Sequence, residues 1–151
     1  AGLTAGAHLH GLATRIIGVA VCDDAAWFER KIRSDLASWQ QLYDVELDTA
    51  ALTVEVDDRH IGPGYGRATT EVFATIKKIA ALEGLILDPV YTGKAFHGLI
   101  QEIRSGEFRG MTDILFVHTG GIFGLFAQRA HLATAGSGDW QVRGSEQRRP
   151  G

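Results

Sequence analysis

The chain reads as an α/β protein with a mostly parallel sheet and flanking helices, and two observations predict it. Short apolar runs at 15–21, 52–56, 85–88 and 113–118 alternate with longer segments of helical spacing, the pattern of βα units that build a parallel sheet. The junctions between them are rich in glycine and hydroxyl groups: Gly62-Pro63-Gly64-Tyr65-Gly66, Tyr91-Thr92-Gly93 and Thr119-Gly120-Gly121. In open α/β sheets ligands sit outside the carboxyl ends of the strands, so these junctions are the candidate functional positions.

Ala1 to Ala13 is small and apolar, with Leu3, Leu9 and Leu12 on a helical repeat, and predicts a helix packed on a sheet. Arg15 to Val21 is β-branched and continuous, as in a strand covered on both faces. Asp23-Asp24 is a cap for a long helix whose apolar stripe, Trp27, Ile32, Leu36, Trp39, Leu42 and Tyr43, is expected in the core. Leu52 to Val56 alternates as a short strand, and 57–66 is a loop of turn formers. Thr69-Thr70-Glu71 opens a helix with Val72, Phe73, Ile76, Ile79, Ala80 and Leu82 on its apolar face, closed by Gly84. A strand over 85–88 leads to a helix from about Lys94 to Arg104. A buried strand over 113–118 then leads to a short helix over 122–128.

Residues 1–132 form one unit, and 133–151, rich in Gly, Ser, Arg and Gln without periodicity, are expected to be a disordered tail. The chain does not begin with methionine and opens like a helix interior, so a processed chain or part of a longer one is expected. With 151 residues, 45% of them hydrophobic and 22% charged, it can bury a core. A net charge of −3 gives no support for a nucleic-acid or membrane-surface partner. No apolar run approaches the roughly 18 residues of a membrane span and no signal peptide is visible, so a cytoplasmic location is expected. The single cysteine, Cys22, lies beside Asp23-Asp24, whose charge disfavours a reactive thiolate. The six histidines show no metal-ligand spacing, and no metal site is expected. Gly-x-Ser-x-Gly is absent, and no Ser-His-Asp set suggests itself.

Gly62 to Gly66 has the strand-to-helix context of a phosphate-binding turn without the dinucleotide spacing; a ligand-facing turn and a plain connection both fit it. His118-Thr119-Gly120-Gly121 places backbone N–H groups and a hydroxyl together, suited to an anion or a heteroaromatic nitrogen, or simply to a tight β–α turn. His118 itself reads as a core or boundary histidine.

Taken together, Gly62–Gly66, the run Leu82 to Ala95 (Leu-Glu-Gly-Leu-Ile-Leu-Asp-Pro-Val-Tyr-Thr-Gly-Lys-Ala), Gly98-Leu99-Ile100 and Ile114–Gly121 resemble one family. It is the C-terminal half of the pyridoxal-phosphate enzymes that include D-cysteine desulfhydrase and 1-aminocyclopropane-1-carboxylate deaminase. The resemblance covers about Ala1 to Gln128 and implies part of the tryptophan-synthase-β-like fold (fold type II), with pyridoxal 5'-phosphate as cofactor. It implies that Tyr65 and Tyr91 line the substrate side, that Thr119 bonds the pyridine nitrogen with Thr92 beside it, and that Gly66, Gly120 and Gly121 admit the ring closely.

The family's Schiff-base lysine follows a Gly-Asn motif in its N-terminal half, which this chain lacks, so this chain alone is expected to be inactive. Where the deaminases have Glu and Leu, this chain has Thr92 and Thr119, and so it resembles the desulfhydrase branch. The implied reaction is β-elimination of D-cysteine to pyruvate, ammonia and hydrogen sulfide, in a full-length homodimer. Alternatives are a sister lyase such as L-cysteate sulfo-lyase, 1-aminocyclopropane-1-carboxylate deaminase itself, or a non-catalytic module for a phosphate-bearing ligand.

Overall fold

The computed structural model describes residues 1–134; the expected tail from 135 on lies outside them. The elements are α1 (Gly2–Leu9), β1 (Ile17–Val19), α2 (Ala25–Tyr43), a 3-10 turn (Thr49–Ala51), β2 (Glu55–Asp57), α3 (Thr70–Glu83), α4 (Thr92–Ser105), α5 (Phe123–Ala127) and α6 (Arg129–Thr134). α6 thus runs two residues into the span read as tail. No helix of the described residues is long and apolar enough to cross a membrane.

The sheet is parallel, as predicted, and pairs Ile17 with Glu55, Gly18 with Val56 and Val19 with Asp57. Among the described residues it holds two strands. The segments 85–88 and 113–118 form no strand, because a strand needs a neighbour's N–H and C=O groups and no described segment supplies them. The two differ in burial. Leu87 is fully enclosed, whereas Ile114, Leu115 and Val117 face outward, with Leu115 88% exposed. The expected buried strand at 113–118 is therefore an exposed extended segment, tied to α4 by the edge-to-face pair Phe116 and Phe96, whose centroids lie 5.0 Å apart.

Local capping chemistry sets the helix ends. The Asp24 carboxylate accepts from the Trp27 amide at 2.7 Å, and Asp58 reaches across to accept from Ala25 N at 2.8 Å, so α2 is capped twice. Thr69 caps α3, and Gly84, at φ 66°, closes it in the left-handed conformation that glycine adopts without steric cost.

Two apolar clusters form. In one, Val72, Phe73, Ile76 and Ile79 of α3 close over Leu87, with Phe96, Leu125 and Leu132 beside them. In the other, Ala5 packs with Leu36, Leu47 and Leu52, flanked by Ile32 and Trp39. Thus α1 buries Ala5 against α2 and the segment after it, while Leu3, Leu9 and Leu12 stay exposed, contrary to the helix-on-sheet expectation. Likewise Trp27, Leu42 and Tyr43, read as core, are exposed, because cover for both ends of the nineteen-residue α2 is lacking among the described residues. Leu52 is buried at the end of the 3-10 turn rather than in β2, which begins at Glu55.

Candidate active site

Three turns converge at the N-terminal end of α4. Helix α4 begins at Thr92, two residues before its apolar spacing suggests, because Asp88 caps it from outside. The carboxylate is fully buried. One oxygen accepts from Val90 N at 2.8 Å and Tyr91 N at 2.9 Å. The other accepts from Thr92 N at 2.8 Å and the Thr92 hydroxyl at 2.7 Å. Of the free N–H groups of the first turn, that of Thr92 is thereby satisfied and that of Gly93 bonds the Asp88 carbonyl at 2.7 Å, and a negative charge sits at the positive end of the helix dipole.

Asp88 also governs the third turn. A Cβ built on Gly121 would stand 2.6 Å from Asp88 Oδ1, and Gly120 and Gly121 hold φ of 103° and 93°. The 118–121 turn is therefore seated directly on the carboxylate, as only glycine permits. His118 fixes its other side: Nδ1 accepts from Gly120 N at 3.1 Å, so Nε2 carries the proton and donates to Ile86 O at 3.0 Å. The histidine is exposed rather than core, and both ring nitrogens serve the turn.

The first turn carries Tyr65, whose hydroxyl bonds that of Tyr91, with ring centroids 5.9 Å apart in an edge-to-face arrangement. Its hydrogen bond with Tyr65 holds the Tyr91 phenol above its usual range. Gly66 is anchored through its carbonyl, which accepts from Gln128 Nε2 at 3.1 Å. Beside these turns lies an open cleft of 1230 Å³ bounded by α1, β1, α4 and the extended 108–117 segment. Tyr91, Thr92 and Thr119 line it; Tyr65, Gly66, Gly120 and Gly121 do not.

Of the residues singled out from sequence, the structure thus joins Tyr65 to Tyr91 directly, and Thr92 to Gly121 through Asp88. Thr119 is exposed at the cleft, whereas Thr92 is buried with its hydroxyl held by Asp88. Sequence reasoning gave no role to Asp88, Lys94 or Gln128. The first had a signal: an aspartate before proline with threonine four residues on is an Asx-type capping pattern.

Where no metal spacing was read, Asp57, His60 and Glu102 bring ligand atoms within 4.8 Å of one another. A cation already stands there. The Arg59 guanidinium bonds both Asp57 oxygens at 2.9 Å and Glu102 Oε2 at 2.9 Å, and His60 Nε2 meets Glu102 Oε1 at 2.8 Å. Burial pushes the Asp57 carboxyl up, but its bonds to Arg59 more than reverse this and hold it below the usual carboxylate range. The cluster fastens the 57–60 loop to α4.

The profile of the family described as pyridoxal-phosphate dependent enzyme matches residues 1–120. The chain belongs to that family. It is 38% identical over 136 residues to the D-cysteine desulfhydrase of Klebsiella pneumoniae (strain 342), covering 87% of this chain and 39% of that protein. It is 35% identical over 133 residues to the 1-aminocyclopropane-1-carboxylate deaminase of Burkholderia multivorans, covering 88% and 39%. Among solved structures, the crystal structure of an ACC deaminase homologue superimposes with a TM-score of 0.77 at 36% identity, over 89% of this chain and 39% of that one. The chain therefore spans about two fifths of the length of these relatives, and its fold is that of part of a type II pyridoxal-phosphate enzyme.

The residues present suit one wall of a pyridoxal-phosphate site. Thr119, exposed at the cleft, carries a hydroxyl that can meet a heteroaromatic nitrogen, and the space around Gly120 is open where a Cβ would stand, whereas that at Gly121 is taken by Asp88. No lysine of the described residues lines the cleft, and Lys94 is enclosed elsewhere, its amine held by backbone carbonyls.

Proposed function

We propose that the full-length polypeptide containing this chain carries out a pyridoxal-phosphate-dependent β-elimination on a small amino acid, D-cysteine first among them. The observation that supports this reading is the meeting of Tyr91, Thr92 and Thr119 in one cleft, with Tyr65 hydrogen-bonded to Tyr91. When bound, the cofactor supplies an electron sink for the charge that develops when the Cα proton leaves.

The chain's own residues bind and orient. Between them Tyr65 and Tyr91 hold two O–H groups: one makes the bond within the pair, and the other is left to donate toward the substrate carboxylate or sulfur. Thr119 offers a neutral hydroxyl to the pyridine nitrogen, and Thr92, bonded to Asp88, presents no charge to the cleft. A carboxylate in these places would keep the pyridine protonated and deepen the sink. A neutral hydroxyl suffices where a good leaving group departs, and this favours elimination over ring opening of a cyclopropane. The Cα–H and Cβ–S bonds break, hydrosulfide leaves, and water completes the conversion to pyruvate and ammonia. We assign the Cα proton to none of these side chains: the tyrosines orient, and Lys94 is enclosed with its amine on backbone carbonyls.

The test begins with the coding sequence on both sides of this chain. The full-length protein is loaded with pyridoxal phosphate, and pyruvate and sulfide are followed from D-cysteine, with Thr119→Leu and Tyr91→Phe alongside. Equal release of both products, falling in both variants, is expected. Cofactor binding without D-cysteine turnover would redirect the substrate to L-cysteate or 1-aminocyclopropane-1-carboxylate, and failure to bind the cofactor would end the reading.

A further inference from the structure

Lys94 is a fully enclosed side chain, 1% exposed. Its ammonium faces three carbonyl oxygens, those of Val21 at 3.3 Å, Ile61 at 2.8 Å and Gly64 at 2.7 Å. Three donors thus meet three acceptors. None of the ion pairs among the described residues includes it, and burial pushes its pKa below the ordinary lysine value. A buried cation without a counter-charge is costly, and methionine would fill the same space without that cost. Methionine could not, however, hold three carbonyls from two separate segments.

Two of those carbonyls, Ile61 and Gly64, belong to the loop that carries Tyr65. Ile61 and Gly64 bracket Gly62-Pro63, and Gly62, Gly64 and Gly66 stand at φ of 68°, 116° and 71°. Around Gly64 and Gly66 a Cβ would find nothing within 4 Å, so side-chain packing does not hold the loop there. Its fixed points are the two bonds to Lys94, the Gln128 bond to Gly66 and the turn bond from Arg67 N to Gly64 O at 3.2 Å. Lys94 stands three residues after Tyr91, so the clamp and the second tyrosine share one helix face.

We propose that Lys94 is the positioning residue for Tyr65: by binding the Ile61 and Gly64 carbonyls it fixes the 61–66 loop against α4, so that the Tyr65 hydroxyl stays on that of Tyr91. The inference rests on the two tyrosines being the substrate-facing pair. Lys94 itself touches no substrate.

Its first test needs no catalysis. In this chain, with Tyr43→Phe to simplify the signals and tyrosine rings labelled with carbon-13, Lys94→Met and Lys94→Gln are compared with the parent by NMR titration and amide exchange. In Lys94→Met the Tyr91 phenol should return toward its ordinary titration range and exchange at the Arg67 amide should rise, with helix content unchanged. Lys94→Gln, which keeps two donors, should show smaller changes of the same sign, and it decides the matter if Lys94→Met does not fold. A tyrosine pair that persists in the folded variants would overturn the proposal.

The second test uses the full-length holoenzyme. Lys94→Met should lower kcat/KM by roughly 10- to 100-fold in the parent but by less than about twofold in a Tyr65→Phe background. The same factor in both backgrounds would overturn it. A holoenzyme inactive on every amino acid would defeat the catalytic reading alone, since the titration and exchange decide the role of Lys94 without it.

Discussion

Replacing Asp88 should unfasten two turns at once, and the size of the effect follows from its four hydrogen bonds. In Asp88→Ala the Thr92 amide and hydroxyl, which belong to a residue 2% exposed, lose their acceptors. A buried donor left unsatisfied costs about 1–3 kcal/mol. Val90 N and Tyr91 N sit nearer solvent and can be rehydrated, so their loss adds only about 1 kcal/mol, the usual value of a helix cap. The total is about 3–7 kcal/mol, a large share of the roughly 5–15 kcal/mol that stabilises a domain.

Asp88→Asn discriminates between packing and acceptance. Each carboxylate oxygen takes two donors, so whichever position becomes the amide nitrogen faces two N–H or O–H groups. Asparagine should therefore cost about 2–3 kcal/mol despite its matching size. The assay is native-state hydrogen exchange on the amides of α3 and α4, converted to opening free energies. Asparagine within about 0.5 kcal/mol of the parent would refute the argument, because the carboxylate would then act as filler.

Two further outcomes are expected. Gly121→Ala combines a positive φ with a Cβ 2.6 Å from Asp88 Oδ1, whereas Gly110→Ala has a positive φ and open space. Thermal unfolding should show Gly110→Ala losing about 1 kcal/mol to backbone strain alone and Gly121→Ala losing more than twice that. Burial, followed by the charges of His60 and Arg104, lowers the His97 pKa from 6.5. Its Nδ1–H donates to Thr75 Oγ1 at 2.9 Å, and that hydroxyl donates onward to Glu71 O. The unfolded chain then takes up this proton at a higher pH than the folded chain does. Stability is complete above pH 6.5 and is lost as pH falls through 6.5 toward the folded value. His97→Gln should flatten that part of the stability profile measured by denaturant unfolding; an unchanged slope would assign it to other groups.

What could be read from the sequence was the chemistry local to a few residues. Asp24, Thr69 and Gly84 mark helix ends wherever the helices pack, and each does so here. The apolar runs 85–88 and 113–118 were legible as extended chain but not as unpaired chain, since pairing depends on a partner distant in sequence. Periodicity likewise showed that α2 has an apolar face without showing that only its middle is covered, so Leu36 is buried and Leu42 is not. The Tyr65–Tyr91 contact bridges 26 positions; the family resemblance put both tyrosines on the substrate side but did not foretell that they touch. Lys94 escaped notice for the opposite reason: lysines are almost always solvated, and nothing local marks an exception.

The two apolar clusters share no side chain, and the groups that span the space between them are polar. Arg15 bonds Glu107, Arg59 and His60 bond Glu102, and Lys94 bonds Val21. Such a seam responds to solvent differently from the cores on either side, because added salt screens its exposed ion pairs while leaving apolar burial intact or strengthened. Coupling between the α2 half and the α3–α4 half should therefore weaken with salt: calorimetry is expected to show one transition at low ionic strength and a broadened or divided one at high ionic strength, and a single unchanged transition would refute this.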